Sequence, residues 1–142
     1  MMAVESDPTG SFRYRVYWED TDAGGVVYHA RYLQFLERAR SDWLRDLGVS
    51  QTDLRRERGL VFAVTRLGID FRKPARLEDE LDVSVCVQAV GRARMDFTQQ
   101  IRRGDELLIE ATVRAACLDA GRFAPARMPK KIQQKLRAYA ES

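Results

Sequence analysis

The sequence predicts an α+β domain in which one long helix lies against an antiparallel sheet and a short helix ends the chain. Three observations carry this. Between residues 30 and 47 the apolar side chains recur at steps of three and four, the period of a buried helical face. From residue 60 onward the pattern changes to period two and stays there through several long runs. The links between those runs are short and carry glycine, which makes the runs antiparallel hairpins. A chain of 142 residues is one domain, large enough to bury its own core.

Taken in order, residues 1–11 are polar and read as a disordered lead-in, with the single domain covering residues 12–142. Phe12 to Trp18 (FRYRVYW) alternates apolar with basic residues as a strand does. An acidic loop then feeds the helix, whose apolar face is Tyr32, Phe35, Leu36, Ala39, Trp43 and Leu47. At ~1.5 Å per residue, Ala30 to Leu47 spans roughly 27 Å, the width of a sheet. Gly48 stops it. Val49 to Gly59 is a charged connector, in which Ser50 and Asp53 form a weak capping signal for a short helical turn. Leu60 to Phe71 is a strand whose inward phase shifts between Val64 and Leu67, as a bulge requires. Leu81, Val83, Val85 and Val87 share one face of the next strand, and Met95, Phe97 and Ile101 one face of its successor. In the last, Glu106 to Leu118, the phase is Leu107, Ile109, Ala111, Val113 and Ala115. Pro129 opens a final helix through Ala140, with Ile132, Leu136 and Tyr139 as its apolar stripe. A sheet covered by one helix leaves its edges open, and joining two such sheets edge to edge removes one, so a dimer or a dimer of dimers is expected.

Composition narrows the class. The apolar runs are too short for a membrane span, and the polar start lacks a basic and apolar leader, so the reading is a cytoplasmic protein. Cys86 and Cys117 lack metal-ligand spacing and read as reduced thiols. The net charge of +3 belongs to the tail: residues 122–142 hold six Lys and Arg against one Glu, leaving −2 on the other 121. So local a cluster suits a phosphorylated small molecule rather than nucleic acid.

The chemistry is concentrated in WEDTDAGGVVYH, where Asp20, Asp22, Gly24 and Gly25 precede His29 at the helix start. A helix start offers unpaired N–H donors and a partial positive charge, which favour a developing anion. From spacing alone, the commoner use of Asp in such a loop is helix capping or an Asx turn. His29 is the sole histidine and has no Cys nearby, so no metal set is expected.

The stretches VYWEDTDAGGVVYHARYLQFLERAR, FRKPARLEDEL, GRARMDFTQQI and RMPKKI, within a similarity that covers Arg13 to Ile132, resemble the hotdog-fold acyl-CoA thioesterases. The branch associated with the Tol-Pal system is the nearer match, and the 4-hydroxybenzoyl-CoA thioesterases a more distant one. The resemblance implies a sheet wrapped around a central helix, a homodimer or homotetramer, and active sites at the subunit interface. It implies hydrolysis of a short-chain or aromatic acyl-CoA, with coenzyme A part of the substrate and no separate cofactor. The catalytic aspartate falls on Asp22, as nucleophile or general base, and the amide that polarises the thioester carbonyl falls on the backbone of His29, whose side chain orients substrate. Trp18, Gly25 and Tyr28 fall in the substrate-binding loop, with Trp18 standing where related sequences often carry Tyr and offering an indole N–H in place of a hydroxyl. Arg72, Lys73 and Arg92 are the candidate partners of the coenzyme A phosphates. Glu37 matches the catalytic acid of other hotdog branches, but beside Arg38 and Arg40 it reads as a salt-bridging residue. The alternative is a non-enzymatic hotdog scaffold that binds acyl carrier protein or an envelope-linked partner through the basic tail. A hydratase is disfavoured by the absence of that branch's His-plus-acid arrangement.

Overall fold

The computed structural model describes residues 10–140. Residues 1–9 of the expected lead-in lie outside that range, whereas Gly10 and Ser11 already belong to β1, Gly10–Arg15. The strand stops three residues short of Trp18. The reason is Asp20, whose Oδ2 accepts the Tyr17 N–H at 2.9 Å while its own N–H donates to the Tyr17 carbonyl at 3.0 Å, winding Trp18–Asp20 into one 3-10 turn.

The long helix, α1, is His29–Asp46, and it buries Tyr32, Phe35, Leu36, Ala39 and Trp43 of the periodic face together with Leu44, whereas Leu47, expected to close that face, follows the helix as its C-cap and is half-buried. Gly48 ends it at φ 86°, a left-handed backbone that a residue with a Cβ adopts only at a cost. The connector forms a fuller element than a single turn. It is α2, Gln51–Arg58, capped by Ser50 Oγ accepting the Asp53 N–H at 3.2 Å and closed by Gly59 at φ 66°. The four remaining strands are β2 (Leu60–Phe71), β3 (Glu80–Val90), β4 (Arg94–Arg103) and β5 (Glu106–Asp119), followed by α3, Lys130–Ala140. Pro129 precedes α3, its carbonyl accepting the Gln133 N–H.

All strand pairs are antiparallel, in the order β1-β3-β4-β5-β2. The β2 register shifts between Val64 and Arg66, where the phase change in the sequence placed a bulge. A second slip, opposite Ile101 and Arg102, corrects the reading of β5: Leu108 and Ile109 are both fully buried, and Leu107 is half-buried.

The core lies between α1 and the sheet. Phe35, Leu36 and Ala39 of α1 meet Leu81, Val83 and Val85 of β3 and Met95, Phe97 and Ile101 of β4, all shielded from solvent. Trp43 packs edge-on against Phe97 at 5.9 Å between ring centroids. Burying each large side chain contributes about 1.5–3 kcal/mol. One polar residue sits among them: Gln99, 1% exposed, donates from Nε2 to the carbonyls of Leu36 and Ser84, and its Oε1 accepts from Arg40.

The two edges differ. Arg13 and Arg15 of β1 are tied to Glu80 and Asp82 on the neighbouring strand. Beyond the bulge β2 is largely exposed, and Val64, Leu67 and Phe71 are 46%, 40% and 49% accessible.

Candidate active site

The acidic loop folds into a small hairpin. Thr21 bridges Val27, the Asp22 N–H donates to Val26 at 2.9 Å, and the Gly25 N–H returns to the Asp22 carbonyl at 3.1 Å. Gly25 takes φ 81°, the left-handed position that closes such a loop. The hairpin is strapped to the chain after β2, because Val26 bridges Arg76 and the Val27 N–H donates to Ala75 at 2.9 Å. These fixed points decide where α1 begins.

Asp22 and His29 open on one cavity of about 220 Å³, lined also by Val26, Val27, Tyr32, Phe71, Arg72, Lys73 and Pro74. The His29 ring stands edge-on to Phe71 at 5.0 Å, and Tyr32 does the same at 5.7 Å. No side chain caps α1, and although the Arg31 N–H turns back to the Tyr28 carbonyl at 2.8 Å, the His29 amide at the helix start keeps its donor character at the edge of the cavity. One oxygen of Asp22, Oδ1, accepts the Gly24 N–H at 2.8 Å. The Asx turn therefore uses only part of the carboxylate: one oxygen holds the loop and the other is free of it. Asp20 is structural, buried, capping the 3-10 turn and 3.8 Å from the Arg31 guanidinium.

Tyr32 was hidden in the sequence by its place in the buried stripe. It stands one turn after His29, its hydroxyl accepts the Ala75 N–H at 2.9 Å, and burial raises its pKa, keeping the O–H as a donor in the wall of the cavity. The signal for it was the i, i+3 spacing from His29.

Arg72 and Lys73 line the same cavity, each already bonded to a carboxylate of β5: Arg72 to Glu110 at 2.5 Å and Lys73 to Glu106 at 3.0 Å. Exposed pairs of this kind contribute about 0–1 kcal/mol, so either cation can turn to a phosphate at little cost. The other predicted residues are not brought to this wall. Trp18 and Tyr28 are 76% and 57% exposed on the surface of the loop, and Gly25 serves its turn. Arg92 lies past the far end of β3, roughly 33 Å along the strand from the Glu80 end that adjoins the cavity.

A second, apolar cavity of about 410 Å³ follows the flank of α1 toward β2, walled by Leu33, Leu36, Leu44, Phe62, Val64, Leu67, Met95 and Phe97. Glu37 lines it and is exposed; among the described residues no cation lies within salt-bridge distance of it, so the expected salt bridge is absent and its reach is a favourable field on Arg40. Burial lowers the Arg40 pKa, and its guanidinium is oriented by Gln99, which the sequence pattern had passed over between Phe97 and Ile101. Among the described residues no group of three His, Cys, Asp or Glu is placed to hold a metal, and no helix is long and apolar enough to cross a membrane.

Residues 16–136 match the model of the thioesterase-like superfamily. The chain belongs to that superfamily. Its relatives include the acyl-CoA thioesterase YbgC of Haemophilus influenzae, 48% identical over 123 residues, covering 87% of this chain and 90% of that protein. The 1,4-dihydroxy-2-naphthoyl-CoA hydrolase of Nostoc punctiforme is 28% identical over 128 residues, covering 89% and 86%. Among solved structures, a probable thioesterase from Bartonella henselae superposes with a TM-score of 0.79 at 38% identity, over 84% of this chain and 98% of that one. The superfamily member described here therefore has the hotdog fold that its sequence resembled, a five-stranded antiparallel sheet with α1 at its centre.

Proposed function

We propose that this superfamily member is a cytoplasmic hydrolase of short-chain or aromatic acyl-CoA thioesters, using Asp22 and the first-turn amides of α1. The observation that carries the reading is the convergence of a partly uncommitted carboxylate and an uncapped helix start on one cavity. The thioester carbonyl oxygen sits over the His29 N–H, where one well-placed donor is worth about 3 kcal/mol in the transition state. The free oxygen of Asp22 either attacks the carbonyl carbon, giving a mixed anhydride that water then opens, or takes a proton from the attacking water. In both routes the carbon–sulfur bond breaks and coenzyme A leaves as its thiol, while His29 and Tyr32 position the group.

In this reading the acyl group takes the apolar cavity beside α1 and the phosphates are met by Arg72 and Lys73; the apolar lining of the first and the two cations lining the Asp22 cavity support it. The names of the H. influenzae and N. punctiforme relatives, an acyl-CoA thioesterase and an aromatic acyl-CoA hydrolase, support this substrate class. The protein works as a homodimer or homotetramer, with no cofactor beyond the coenzyme A of the substrate. The test is release of free thiol from acyl-CoAs of graded chain length and from aromatic acyl-CoAs, with acyl carrier protein thioesters alongside. Chain-length-dependent release from CoA thioesters supports the reading; no release above background from any of them overturns it.

A further inference from the structure

One guanidinium outside the cavity grips the segment on which the candidate site hangs. Residues 74–79 lie between β2 and β3 and meet the site at three points. The Ala75 carbonyl accepts the Val27 N–H at 2.9 Å, Arg76 bridges Val26, and the Ala75 N–H donates to the Tyr32 hydroxyl at 2.9 Å. The first two contacts fix the hairpin that carries Asp22, and the third fixes Tyr32. Local preference does not hold the segment in this shape. Glu78 takes φ 72°, a left-handed backbone that a residue with a Cβ adopts only at a cost and keeps only where its surroundings impose it.

Arg103, the last residue of β4, supplies that constraint. Its Nη1 donates to the Pro74 carbonyl at 3.3 Å and to Asp79 Oδ2 at 2.7 Å, so it holds both ends of the segment at once. The same Asp79 oxygen accepts the Arg76 N–H at 2.8 Å. On its other side, Nε and Nη2 donate to Glu106 Oε1 at 3.2 and 2.7 Å, and Glu106 Oε2 accepts Lys73 Nζ at 3.0 Å. Three acceptors in fixed directions call for a planar fork; an ammonium in the same place is a point charge that sets no angles. Arg114 makes a useful contrast. Its side chain is 31% exposed against 29% for Arg103, and it too holds a carboxylate, Asp96 at 2.9 Å, but that bond joins β5 to β4 and leaves residues 74–79 untouched.

We propose that Arg103 is a positioning residue for the hydrolysis: through Pro74 and Asp79 it sets residues 74–79, and through them the places of Asp22 and Tyr32. The proposal rests on the hydrolase reading of Asp22 for its chemistry, and on the hydrogen bonds of Arg103 for its geometry. Arg103→Met keeps an unbranched stem and removes the fork. It lowers kcat about tenfold or more on an acyl-CoA and on the matching acyl-pantetheine alike, with KM for the acyl-pantetheine within about twofold of native. Acyl-pantetheine lacks the nucleotide phosphates, so it does not register any change in Lys73 when Glu106 loses Arg103. If Arg103→Met does not fold, Arg103→Lys takes its place and lowers kcat about threefold or more, since it keeps the charge without the fork. Without any substrate, hydrogen exchange at the Val27 and Ala75 amides quickens about tenfold in the Arg103 variant and stays native in Arg114→Met. Native kcat in the Arg103 variant, a loss confined to acyl-CoA and to KM, an equal loss in Arg114→Met, or unchanged exchange at both amides overturns the proposal. A native protein that releases no thiol from any acyl-CoA defeats the hydrolase reading and the positioning role with it, while the exchange rates still decide whether Arg103 holds the segment.

Discussion

Asp22→Asn separates the two uses of this side chain. The Oδ1 atom accepts the Gly24 N–H at 2.8 Å, and an asparagine carbonyl accepts the same bond, so the Asx turn survives. The side chain is exposed, and surface changes that keep their hydrogen bonds stay within about 0.5 kcal/mol of the native stability. What the substitution removes is the charge on the second oxygen. A positioned base contributes about 10²–10⁴ in rate, equivalent at ~1.36 kcal/mol per decade to about 3–5 kcal/mol of the barrier. The expected result is a kcat lower by two to four decades, on the order of the base's whole contribution, with Tm within about 2 °C of native. Thiol release under saturating acyl-CoA gives kcat, a thermal melt gives Tm, and Asp22→Ala serves as the contrast, losing both the charge and the turn. A variant that folds as the native protein does and keeps more than about a tenth of its kcat refutes the assignment of Asp22 to the chemistry.

Three further outcomes follow from the same geometry. Tyr32→Phe keeps the ring against Phe71 but orphans the Ala75 N–H, so stability drops by about 1–3 kcal/mol in denaturant titration, and kcat/KM falls up to about tenfold through the lost hydroxyl. Gln99→Leu fills the same space yet strips partners from the carbonyls of Leu36 and Ser84 and from Arg40, so it destabilises by about 1–3 kcal/mol where an apolar replacement in an ordinary core position would not; equal or greater stability would show the network to be dispensable. Hydrogen bonding from Arg103, then Lys73, holds the Glu106 pKa below its ordinary value. A depressed carboxylate contributes stability that is present above its unfolded pKa and lost as pH falls through the folded one, so Tm falls between about pH 5 and about pH 3, and Glu106→Gln shallows that fall.

The amino-acid sequence by itself determined the elements and most of their faces, because burial of a stripe or of alternate residues is written in local spacing: Tyr32, Phe35, Leu36, Ala39 and Trp43 of α1, the β2 bulge and the Gly48 stop all follow from it. It also marked the glycine-bearing acidic loop that feeds a helix start, a local pattern, whereas the choice of Asp22 and His29 within it rests on the resemblance to the family. Tertiary structure alone decided what those residues meet. Tyr32 joined the cavity only because the chain after β2 passes over α1, and Gln99 became a core residue only because α1 crosses β4 there. Arg72 and Lys73 proved to be paired with β5, and Arg92 lay at the other end of the sheet, because the order β1-β3-β4-β5-β2 sets neighbours that chain distance does not reveal. Local periodicity fixes which side of an element is apolar, but contacts between elements distant along the chain depend on how the layers stack, and the site is built from those contacts.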